Sequence, residues 1–254
     1  MSSSDTLQVL KRASNEDLAT LVAYILKAST TEKLSASGAY KQHQPNHRRY
    51  AGEILAEIRL FGGNSFVNLF RSQGPTYLEV VQDVAGKFGV KKAESYELVA
   101  LEQELIRTIL MDAMKKSSGQ ERIDIENALK EAGVGQSDLS ALLSGSSLLG
   151  LLGARAASLL GYQIAGVVAN TVAMQVLGQG VRAVVGGAAS AVLGRGAAAL
   201  LGPIGWVLTG VWTAVDLAGP AFRVTVPCVL HIAMLRQRMI AEELGAFAEA
   251  FADD

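Results

Sequence analysis

Few side chains in this 254-residue sequence are suited to metal, acid–base or nucleophilic chemistry: three histidines, His43, His47 and His231, and one cysteine, Cys228. His43 and His47 are four residues apart, the spacing at which two imidazoles on one helical face can share zinc. Pro45 lies between them, however, and no Glu follows His43 as it would in a metalloprotease helix. Cys228 and His231 are a second pair, but a tetrahedral site would have to be assembled from two distant segments. A reactive thiol needs a neighbouring base and an electropositive setting. Val224, Val226, Val229, Leu230 and Ile232 around Cys228 instead indicate an inert, buried one. There is no Gly-x-Ser-x-Gly elbow. The carboxylate pairs Glu102/Glu104 and Glu242/Glu243 read as solvated helical faces. Gly62-Gly63 could cradle a phosphate at a helix start, yet neither a preceding strand nor a following Lys-Ser/Thr accompanies it, so it reads as helix punctuation. No catalytic residue, metal or cofactor is therefore expected. The basic run His47-Arg48-Arg49, with Lys41 nearby, reads as a contact for a partner or a lipid headgroup.

The elements that must position these residues are set out by an uneven distribution of charge. Residues 1–138 hold 35 of the 47 Lys, Arg, Asp and Glu residues, and residues 223–254 hold eight. The intervening residues 139–222 hold only four, Arg155, Arg182, Arg195 and Asp216, together with 15 of the 26 glycines. A solvated helix needs a charged face, so this middle stretch must be covered by protein or by lipid. The chain divides accordingly into a charged helical domain (1–138), an apolar Gly/Ala-rich hairpin (139–222) and a C-terminal packing helix (223–254). The overall charge of −1 offers no electrostatic footprint for nucleic acid. The N-terminus lacks the basic and apolar regions of a secretory signal, and the single cysteine suits a reducing compartment. A cytoplasmic protein with peripheral or conditional inner-membrane association is expected.

Within 1–138 the apolar residues recur at helical spacing, as in Leu98, Leu101, Leu105 and Ile109. Ser14 predicts a helix start running to about Ala28, followed by a loop through Ser35, Gly38 and Pro45. Further helices are predicted from about Asn46 to Phe61, Phe66 to Ser72, Thr76 to Phe88, Ala93 to Lys116 and Gln120 to Ala132, separated by glycine-rich breaks. Pro227 is expected in the first turn of the last helix. The fold class is all-α, a helical bundle enclosing the apolar hairpin.

Two charge-free runs in the middle stretch reach bilayer length: Ala156–Val181, between Arg155 and Arg182, and Gly196–Val215, between Arg195 and Asp216. Their Leu, Ile and Val residues contribute roughly −3 to −5 and −2 to −4 kcal/mol to insertion, before the penalties of Gln163, Asn170, Gln175, Gln179 and Pro203. The balance is close to neutral, so what else can bury these helices decides between water and lipid. Small residues four apart, Gly186-Ser190-Gly194 and Gly210-Ala214-Ala218, permit close helix packing in either medium. The arginines at the segment edges, Arg155, Arg182 and Arg195, can extend to headgroups. With Trp206 and Trp212 they are the expected membrane-interacting residues.

Several separated blocks also resemble one family: His47-Arg48-Arg49, the helix from Glu53 into Phe61-Gly62-Gly63-Asn64-Ser65, Arg71-x-x-Gly74, and Arg223-Val224-Thr225-Val226-Pro227-Cys228-Val229-Leu230. Together they resemble the YaaW-type family of bacterial proteins over about Ser14 to Arg238. That family is sometimes grouped with the ubiquinol–cytochrome c chaperones, which implies a membrane-linked assembly role and no catalytic residues.

The sequence thus predicts a non-enzymatic, membrane-interacting helical protein, pore-forming or membrane-remodelling, with a conditionally inserted hairpin. Its expected partners are membrane lipid and further copies of itself or a protein client. The alternative is an assembly factor or chaperone of the ubiquinol–cytochrome c type.

Overall fold

The computed structural model describes residues 3–28, 32–62, 74–143, 148–178, 201–205, 207 and 221–250, with side chains left undescribed at 3–5, 142–158 and 247–250. Among the described residues every regular element is helical. The helices are α1 (Ser3–Arg12), α2 (Asn15–Leu26), α3 (Gly38–His43), α4 (Ala51–Gly62), α5 (Tyr77–Lys87), α6 (Leu98–Lys116), α7 (Gly119–Glu131), α8 (Gln136–Leu143), α9 (Leu148–Leu177) and α10 (Phe222–Ala250).

Local signals fix most boundaries in the charged region. Ser14, Thr76 and Ser118 each accept a hydrogen bond from the N–H three residues on, at 3.1, 3.2 and 3.4 Å. In return Asp17, Glu79 and Glu121 accept from the cap residue's own N–H, so α2, α5 and α7 all open with a capping box. Gly89 and Gly133, at φ +80° and +96°, end α5 and α7. The left-handed turn lets the N–H of Val90 and Val134 reach back to Ala85 and Leu129, at 3.0 and 2.9 Å.

The structure departs from the predicted elements in several places. The expected loop at 35–45 contains α3, capped by Ser37. The helix predicted from Ala93 begins at Leu98, after a 3-10 turn at Ala93–Ser95. Pro227 lies inside α10, which starts at Phe222, rather than in its first turn. The predicted Phe66–Ser72 helix lies outside the described residues.

The centre of the bundle is formed by two long helices. Every residue of α9 from Ile164 to Ala173, and every residue of α10 from Val224 to Gln237, is buried. A helix covered on all sides over three or more turns needs partners around its whole circumference. For α10 these are α1, α2, α4, α5, α6 and, most extensively, α9. The charged helices thus wrap a two-helix centre. The second arm of the expected hairpin lies outside the described residues except for 201–205 and 207.

Candidate functional site

The candidate site is the seam along which α9 and α10 are held inside the wrapping helices. Residues Leu159–Leu177 of α9 are long and apolar enough to cross a membrane, and 61% of that stretch is buried within the protein. Gly161 lets α10 approach: a Cβ there would lie 2.9 Å from the Gln237 Oε1 atom. At the other end of α9, the Lys27 ammonium donates to the Val176 carbonyl, countering the negative pole of a helix that carries no basic residue in its last turn. Gln175 Nε2 donates to the Leu201 carbonyl at 3.0 Å.

The wrapping helices grip α10 through three consecutive polar residues, Arg236, Gln237 and Arg238. Arg236 Nε donates to Glu102 Oε2 at 2.8 Å, and its Nη2 donates to Thr6 Oγ1 at 2.9 Å. Tyr77 completes the set by donating its hydroxyl to Glu102 at 3.2 Å. Gln237 accepts from Gln103 at 2.9 Å. Arg238 Nη2 donates to Asp17 Oδ2 at 2.5 Å, and the same oxygen accepts the Ser14 N–H of the α2 capping box at 3.1 Å. One turn of α10 is therefore tied to α1, α2 and α6, with α5 in support.

Burial governs the electrostatics of this seam. Glu102 is fully buried, which pushes its carboxyl up from the ordinary range, while Arg236 and the Tyr77 hydroxyl pull it back down. Burial also pushes up the Tyr24, Tyr77 and Cys228 protons. His231, buried against the edge of Tyr24 at a ring distance of 6.3 Å, is pushed down to about 4. Desolvation is the first cause, and the Asp17 carboxylate and main chain oppose it. Taking two charges out of water costs about as much as their attraction returns, so such pairs fix one arrangement more than they add stability.

The residues singled out in the sequence fall in different settings. His47 is buried and shares a hydrogen bond between its Nδ1 and the Tyr50 hydroxyl, and its N–H donates to Asn15 Oδ1 at 2.7 Å. Arg48 and Arg49 are exposed, and Arg48 donates to the Lys11 carbonyl at 3.2 Å. His43 ends α3, separated from His47 by the Gln44–Pro45 turn. The Arg155 side chain and the whole of Arg182, Arg195, Trp206, Trp212 and Asp216 lie outside the described residues. Cys228 is buried without exposure. Among the described residues no three of His, Cys, Asp and Glu gather as metal ligands. An open groove lies between Phe88, Tyr96 and Lys115, but its Arg107 is committed to both oxygens of Glu104, at 2.8 and 2.7 Å.

The solvated-face reading of Glu102/Glu104 needs correcting for Glu102, which is buried and paired with Arg236. Its place in the pattern carried a signal: Glu102 is four residues after Leu98 and three before Leu105, on the apolar arc of α6. Glu242 and Glu243 are exposed, as a solvated face requires.

The fold and seam define an all-α bundle in which charged helices wrap two long helices with extensively buried central stretches. The chain belongs to the UPF0174 family. It is 30% identical over 246 residues to UPF0174 protein YaaW of Escherichia coli strain K12, covering 94% of this chain and 96% of that one. A UPF0174 protein of Helicobacter pylori strain J99 is 33% identical over 235 residues, 91% of this chain and 90% of its own length. A UPF0174 protein of strain 26695 is 33% identical over 215 residues, covering 83% of this chain and 99% of the relative. No family model and no solved structure matches the chain.

Proposed function

We propose that this protein acts at membranes without catalysing a reaction, holding α9 in a sheltered state and presenting it to lipid when the bundle opens. The observation that carries this reading is the composition and setting of Leu159–Leu177, a stretch of bilayer length of which 61% is buried within the protein. Its amide residues Gln163, Asn170 and Gln175 make lipid a poor permanent home, and its lack of a charged face makes water a worse one. In the inserted state the Gly/Ala-rich stretch 139–222 forms a hairpin whose edge arginines meet headgroups, with Arg48 and Arg49 offering a further exposed basic contact. The apolar helices then associate with other copies or remodel the bilayer.

Flotation and dye release with phosphatidylglycerol–phosphatidylcholine vesicles test this on the purified full-length chain. Binding with leakage is the expected result; failure both to float and to leak overturns the reading. Affinity capture from membranes separates it from an assembly factor, which would return one stable client where a pore-former returns copies of itself.

A further inference from the structure

We propose that His231 is the trigger of an acid-released clasp between α2 and α10, so that mild acidification frees the central helices from their wrapper. The inference rests on the sheltered-helix reading and supplies its regulation.

The geometry comes from register. Asp17 pairs with Arg238, and Tyr24 packs edge-on against His231. Moving seven residues forward along α2 moves seven residues back along α10, so the two helices run antiparallel and present one face to each other over two turns. Cys228, three residues before His231, lies on that same face of α10 and interacts electrostatically with Tyr24. His231 is thus fixed inside the contact, where the Asp17 main chain and carboxylate and the Arg238 guanidinium all act on its ring.

For His231 itself burial and the Arg238 guanidinium disfavour a second positive charge, while the Asp17 carboxylate and main chain favour one; the other titratable and charged groups of this contact lie around Arg238 and Arg236. From α2 come Asp17, already engaged by Arg238 and the Ser14 N–H, and the Tyr24 phenol. From α9, Tyr162 acts on Arg238. On α10 itself Glu242 approaches Arg238 at 4.0 Å. From α1, α5 and α6 come Thr6, Tyr77 and Glu102, gathered on Arg236. The hydrogen bond on the α4 side is at the far end, from the Ala221 N–H to the Phe61 carbonyl at 2.9 Å.

The sign follows from linkage. In the closed bundle His231 is pushed down to about 4, and once opened it returns to its ordinary value of 6.5. Above that value both states hold a neutral ring and no penalty arises. Between about 6.5 and about 4 the open state binds a proton that the closed state refuses, so closure weakens steadily as pH falls. Glu102 acts with the opposite sign: its carboxyl is pushed up in the closed state, and acid favours the closed form there. The response therefore belongs to the α2 face and not to the Arg236–Glu102 pair.

Cys228 reports on that face as the chain's single thiol. Its labelling by 4,4′-dithiodipyridine, which reacts in acid as well as at neutral pH, is measured on the full-length protein without vesicles from about pH 7.5 to about pH 5. Rates are scaled to the same chain in guanidinium, and circular dichroism follows helix content. The expected result is a rise in scaled rate on the order of tenfold with helix content retained. The same rise should be absent in His231→Gln, or in His231→Phe should the first variant fold poorly. A pH-independent rate in the natural protein overturns the proposal, and so does an unchanged acid response in a folded His231 variant. A vesicle-flotation arm separates the two readings: acid-exposed Cys228 without vesicle binding sinks the membrane role and leaves the clasp standing. Vesicle binding with Cys228 still protected does the reverse.

Discussion

Helices α6 and α9 solve opposite problems. In α6, Leu98, Leu101, Leu105, Ile109 and Leu110 face the interior, while Lys115 and Lys116 stand in the solvated last turn. Its sequence orients it at every charged position but Glu102, whose burial depends on Arg236, because only one face can be buried without stranding the other charges. In α9, ten consecutive residues from Ile164 are buried, and its sequence offers no polar face by which to choose a rotation. Orientation there is imposed by neighbours: Gly161 admits Gln237, Lys27 holds the Val176 carbonyl, and α10 lies alongside. A helix placed by its partners can exchange them, which is why the membrane reading falls on α9 and not on α6.

That contrast can be broken most forcefully at the polar seam. Glu102→Ala takes the carboxylate away from the buried Arg236 guanidinium and should cost about 3–5 kcal/mol, read from the urea midpoint. Replacing both partners, as Glu102→Leu with Arg236→Met, should recover most of that loss, since two buried charges are then removed together. A double variant as unstable as the single one would show that the pair supports the centre and does more than select its arrangement.

A smaller effect is expected inside the wrapper, where α4 meets α5. A Cβ on Gly62 would lie 2.3 Å from Val80 Cγ2, so Gly62→Ala should force the helices apart at a cost of about 1–3 kcal/mol. Thermal unfolding measures it. A neutral result would mean that the wrapping helices yield as readily as the centre is proposed to.

Smallest of all should be Ser118→Ala, which removes the α7 cap and its half of the capping box at about 1 kcal/mol. Hydrogen exchange should place the loss in the first turn of α7, leaving α9 and α10 as protected as before. Were α9 to lose protection too, the wrapper and the centre would be one cooperative unit and the distinction between them would fail.

Much of the wrapper could be read from the chain because its signals are local. Ser14, Thr76 and Ser118 each announce a helix within three residues, and Gly89 and Gly133 end one within a turn. The central role of α10 could not be read so directly. Arg236, Arg238, Glu242 and Glu243 give this stretch an amphipathic pattern, and Pro227 points to a later start, although Val224–Gln237 is wholly buried. A charge in a sequence reads as solvated until its partner is found, and the partners of Arg236 and Arg238 lie 134 and 221 residues away. The α3 turn leaves little trace in the sequence for a related reason: its cap, Ser37, stands in a stretch of loop-forming residues, and the turn has no fully buried residue to give it a periodic stripe.

By itself the sequence determined that the chain is helical and that its middle stretch required cover. These follow from periodicity, capping and the cost of leaving apolar surface in water, all of which act over a few residues. Only the tertiary structure decided that α10 joins α9 at the centre, and that Asp17, Glu102 and His231 are buried. Ion pairs and buried rings depend on positions in space, and chain closure brings together groups whose separation along the sequence carries no trace of the contact.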